Sequence, residues 1–64
     1  MFIEFAGMFI NINYIISIYK TKGQDKYFEV NIKVYPNSNA IKEIYVTKEQ
    51  QQTRFNEIVA EVNK

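Results

Sequence analysis

Side chains able to do covalent or acid–base chemistry are scarce in this 64-residue chain. It has no His and no Cys, and Asp25 is its one aspartate. Thiol nucleophiles, disulfides, structural zinc sites and most transition-metal sites are thereby excluded. Glu29 and Glu43 fall in strand-like segments and could meet on neighbouring strands as paired carboxylates. General acid–base work needs such a pair in a concave, desolvated site. Both alternate outward beside Lys33 and Lys42, so solvated cross-strand charge pairing is the expectation. Glu57 and Glu61 stand four apart in a helical pattern, and one turn with two carboxylates is not a calcium loop. Gly7 and Gly23 are isolated, and no glycine-rich run precedes a helix, so there is no phosphate loop. No catalytic residue, metal ligand or cofactor is expected, and the chain reads as a non-enzyme.

What remains is binding chemistry, carried by aromatic and basic side chains. Five Tyr and five Phe make up the 16% aromatic content. Alternation places Ile15, Tyr19, Tyr27, Tyr35, Ile41 and Tyr45 on one side of a sheet, interleaved with Glu29, Asn31, Lys33 and Glu43. Tyr is a good strand former whose hydroxyl can stay wet, so part of this row is ordinary strand chemistry. As a surface, the row has two further uses. Large rigid rings anchor protein interfaces, which makes these six residues the expected partner-binding or self-association face. Rings beside amines also bind single-stranded nucleic acid, with bases stacking and lysines tracking phosphates. The alternative reading is therefore a nucleic-acid surface served by Lys20, Lys22, Lys26 and Lys33. A net charge of +1 gives no global field to draw in nucleic acid or an acidic membrane.

The elements that must position these residues follow from periodicity. From Met1 to about Val46 the apolar pattern has period two and is rich in Ile, Val, Phe and Tyr, as in strands. Met1 to Ala6 and Met8 to Asn11 form a tight hairpin about Ala6-Gly7. Asn11-Ile12-Asn13 is a corner, since Asn side chains bond their own backbone. Tyr14 to Lys20 is the next strand, Thr21 to Asp25 a polar turn containing Gly23, and Lys26 to Tyr35 the clearest strand. Pro36-Asn37-Ser38-Asn39 stops it, and Ala40 to Val46 is the last strand. Thr47-Lys48-Glu49-Gln50 then matches a capping box, followed by Phe55, Ile58, Val59 and Val62 on one helical face.

The expected architecture is one small α+β domain over 1–64: an antiparallel β-meander of four to five strands over about 1–46, and one C-terminal helix over about 48–63 packed on one face. The helix stripe should cover Ile16, Ile18, Phe28, Val30, Ile32, Val34, Ile44 and Val46. A helix of about 16 residues, roughly 24 Å long, covers one face only. A chain this short buries only about 60% of its unfolded surface and has no covalent staple. Self-association, as a homodimer through the outer sheet face or a poorly guarded N-terminal strand carrying Phe2, Ile3 and Phe5, would supply the missing burial. The apolar start has no positive leader, contains Glu4 and is interrupted by Asn11 and Asn13. It reads as neither a signal peptide nor a membrane span, and a cytoplasmic protein is expected. Heavy use of Ile, Asn and Lys suggests an AT-rich coding genome.

The stretch Phe9-Ile10-Asn11-Ile12-Asn13-Tyr14-Ile15-Ile16-Ser17-Ile18 resembles a phrase of small bacterial and phage β-rich proteins, in which Asn precedes a spaced Ile pair opening a strand. With the strands-then-helix layout it is similar to the FlbD-type small flagellar proteins over about the first twenty residues. The middle hairpin here is longer and richer in Tyr, and the helix is longer. The layout is also similar to the dimeric single-strand DNA binders of the positive-cofactor type, whose basic motifs are absent. These likenesses imply the layout and no site residue.

Overall fold

The computed structural model describes residues 1–36 and 39–64. The Pro36-Asn37-Ser38-Asn39 stop thus includes two residues outside the described set. Strands β1 (Phe2–Phe5) and β2 (Met8–Asn11) pair antiparallel as a separate two-stranded sheet. A 3-10 turn, Ile12–Tyr14, leads into β3 (Ile15–Lys22), β4 (Phe28–Val34) and β5 (Ala40–Tyr45), an antiparallel sheet in that order. Helix α1 (Lys48–Val62) closes the chain. The class is α+β, with five antiparallel strands divided between two sheets rather than joined in one meander.

Local chemistry explains the joints. Ala6 and Gly7 both have positive φ, 52° and 79°, which is the two-residue turn that matches strand twist in a hairpin. At the corner, the Asn11 side chain accepts from the Asn13 amide at 3.0 Å. Thr47 and Gln50 form the reciprocal capping box: Thr47 Oγ1 accepts from the Gln50 amide at 3.1 Å and Gln50 Oε1 from the Thr47 amide at 3.4 Å. This satisfies two otherwise orphaned donors at the helix start.

The core lies on one side of the three-stranded sheet. Val30 and Ile32 of the central strand, Phe5, Ile3 and Ile10 of the hairpin, and Ile58 of α1 are its buried apolar residues. Ile15, Ile18, Val34, Ile41, Tyr45, Phe55 and Val62 pack around them. Helix and hairpin thus cover one face together.

Two strands run out of the expected phase. In β3 the register shifts between Ile15 and Ser17. The bulge inserts one residue, so Ile15 reaches the core together with Ile18 while Ile16 is left exposed. In β5, Glu43 pairs with the fully buried Val30 and Ile41 with Ile32. Directly opposite residues share a face, so Ile41, Glu43 and Tyr45 point to the helix side. Lys42 and Ile44 take the outer side, and Ile44 and Val46 are exposed instead of lying under the helix. A carboxylate in that inward position is tolerated because it is fully partnered.

Candidate functional site

Glu43 is the hub of that partnering. Its carboxylate accepts from Arg54 Nε at 2.9 Å, from the Ala6 amide at 2.8 Å and from the Tyr45 hydroxyl. Arg54 also donates to the Glu4 carbonyl and lies 3.5 Å from Glu57. Sheet, helix and hairpin are tied at one point. Burial pushes Glu43 up, but the bonds from Arg54, Ala6 and Tyr45 outweigh it and hold the carboxyl below its ordinary range. Burial first, and then the Glu43 carboxylate, push the Tyr45 hydroxyl up to about 12. Burial lowers Arg54, yet its bond to Glu43 wins and the guanidinium is held more firmly protonated. With its charge matched, this cluster is a structural clamp.

The expected binding row does not form a single surface. Ile15, Ile41 and Tyr45 pack on the core, for the reasons of bulge and register given above. Tyr19, Tyr27 and Tyr35 are exposed, with Tyr35 beyond the end of β4. The outer sheet face around Tyr19 is largely polar. Asn31, only 1% exposed, donates from Nδ2 to the Tyr19 carbonyl and to Thr21 Oγ1. Thr21 donates in turn to Glu29, which pairs with Lys42 at 3.6 Å. Glu29 is therefore on the face opposite Glu43, and the two carboxylates do not come together.

One group of exposed apolar residues lies on the N-terminal hairpin. Its register pairs Ile3 with Ile10 and Glu4 with Phe9. Ile3, Phe5 and Ile10 turn inward, and Phe2 and Phe9 turn outward, 60% and 75% exposed. Met8, opposite Phe5 on the other face, and Met1 are also exposed. A turn at Ala6-Gly7 already fixes this register, so the outward Phe pair was derivable from the sequence by counting back from the turn.

The four lysines of the nucleic-acid alternative are divided. Lys33 pairs with Ser17 and Ala40 on the outer face, and Lys26 is exposed in the turn. Lys20 and Lys22 pair with Val30 and Phe28 and so lie on the helix side. There they meet Lys48, the first residue of α1, which periodicity alone does not bring near them.

The fold, a β-hairpin and a three-stranded sheet with one helix, defines an α+β protein. Comparison with family models, curated proteins and solved structures found no match. No helix is long and apolar enough to cross a membrane among the described residues.

Proposed function

We propose that this protein is a non-enzymatic binding module that self-associates through the outward face of its N-terminal hairpin. The observation that carries this reading is the exposure of Phe2 and Phe9 on adjacent strands of that hairpin. Contiguous exposed aromatic surface marks interaction sites, and Tyr and Phe are enriched at interface cores. Glu4, the one charged side chain of the hairpin, lies opposite Phe9 on this same face, so two copies must meet with their Glu4 carboxylates offset. Chemistry on bound substrate finds little support: both Glu43 oxygens are held by donors, and Glu57 and Glu61 pair with Arg54 and Lys64.

Because the Phe9 ring makes little contact with its own chain, Phe9→Lys should change fold stability by less than about 0.5 kcal/mol. It should weaken the dimer at least about tenfold, equivalent to 1.4 kcal/mol. Sedimentation equilibrium through the micromolar range measures this, with circular dichroism confirming an unchanged helix signal. A wild-type monomer throughout, or a dimer indifferent to Phe9→Lys, would overturn the reading.

A further inference from the structure

At the start of α1, a cleft of about 380 Å³ is lined by Lys20, Thr21, Lys22, Phe28, Lys48 and Gln51. Its three cations have no carboxylate partner among the described residues, whose ion pairs engage Lys42, Arg54 and Lys64 instead. Lys20 is oriented by neutral groups: its ammonium donates to Gln52 Oε1 at 2.6 Å and sits 5.0 Å from the centre of the Phe55 ring. The acidic side chains near the helix start lie elsewhere, Glu49 on the flank facing Tyr45 and Glu29 on the outer sheet face. A near-neutral chain thus gathers uncompensated positive charge in one concave place.

The rest of the lining is not suited to a bare anion. Phe28 presents a half-buried ring. Gln51 is 5% exposed, and its Nε2 donates to the carbonyls of Thr21 at 3.0 Å and Glu29 at 2.8 Å. Those two bonds fix the amide; among the described residues its Oε1 carries no hydrogen bond, and no fully enclosed side-chain polar atom is unpartnered. The oxygen is therefore accessible to solvent, on a residue that lines the cleft, and is free to accept. An acceptor oxygen repels phosphate but receives the N–H of a nucleobase.

We infer that this cleft binds single-stranded nucleic acid, with Lys20, Lys22 and Lys48 on backbone phosphates and Phe28 and Gln51 meeting a base. Cations that track the backbone beside a ring that stacks a base are the parts such binding uses. The site is separate from the Phe2/Phe9 face, so either can fail without the other.

The test is fluorescence anisotropy of a labelled oligothymidylate. Three phosphate contacts on a single strand give a log–log salt slope of about −2, a loss of roughly 20-fold between about 50 and 200 mM salt. Lys22→Gln and Lys48→Gln, both at exposed positions, should each flatten the slope by about 0.7. Lys33→Gln, on the opposite face, should leave it unchanged. Phe28→Leu should weaken binding at every salt concentration without altering the slope, its fold checked by circular dichroism. Three outcomes would overturn the inference: no binding at low salt, equal effects of Lys33→Gln and Lys48→Gln, or full competition by inorganic tripolyphosphate at matched phosphate concentration. The last would reassign the cleft to a bare polyanion.

Discussion

Glu43 shows how one side chain can set the phase of a strand. A carboxylate facing a helix is unfavourable unless its oxygens find donors, and here Arg54, Tyr45 and the Ala6 amide serve both of them. The arrangement predicts that stability falls towards both ends of the pH scale. Glu43 has a depressed folded pKa, so its contribution is present above the ordinary glutamate range and is lost as pH falls through the depressed value. Tyr45 has a raised one, about 12 against an ordinary value of 10.0. Its contribution is complete below 10 and is lost as pH rises towards 12. In Tyr45→Phe the phenolate absorbance component near pH 12 should disappear. Denaturant midpoints of that variant should stop falling over the same interval. Persistence of the late component would assign it to another tyrosine and sever the hydroxyl from Glu43.

At the scale of elements, the strands, the corner, the capping box and the helix stripe could be read from periodicity because each is a local property. Ile58, Phe55 and Val62 meet the core as their 3.6-residue spacing requires. Face assignment failed where a nonlocal contact decides it. Nothing near Glu43 in sequence announces Arg54, and nothing in Ile15-Ile16-Ser17 announces a bulge, so strict alternation misplaces Ile15 and Ile16 in one strand and Ile41, Glu43, Ile44, Tyr45 and Val46 at the other. Of the candidate site, Lys20 and Lys22 were visible, whereas Lys48 and Gln51 depend on where the helix begins relative to β3. The hairpin turn offers its own test. Ala6 holds φ at 52°, a left-handed conformation costing a residue with a Cβ roughly 1 kcal/mol, and Asn-Gly is the pair best suited to this turn. Ala6→Asn keeps the backbone N–H that Glu43 requires and should stabilise the fold by about 0.5–1 kcal/mol in urea denaturation. A loss of stability would mean that the side chain at position 6 has less room than the turn implies.

For the whole molecule, the two candidate surfaces make different demands on stability. Among the described residues six buried apolar side chains form the central core, and no disulfide can reinforce it because the chain has no Cys. If native chains pair through Phe2 and Phe9, dimerisation draws the folding equilibrium by mass action and the melting temperature depends on protein concentration. A tenfold rise in concentration is worth 1.4 kcal/mol per dimer, half of that per chain. With an unfolding entropy of about 2.1 cal/mol/K per residue, this shifts the melting temperature of so short a chain by about 5 °C. Calorimetry at several micromolar concentrations should show that dependence in the wild type and a flat line in Phe9→Lys. Lys48→Gln should follow the wild type, because the lysine cleft binds nothing needed for folding. A flat wild-type line would separate folding from association and remove the physical need for a second copy, leaving Phe2 and Phe9 as exposed aromatic rings whose partner is a different molecule.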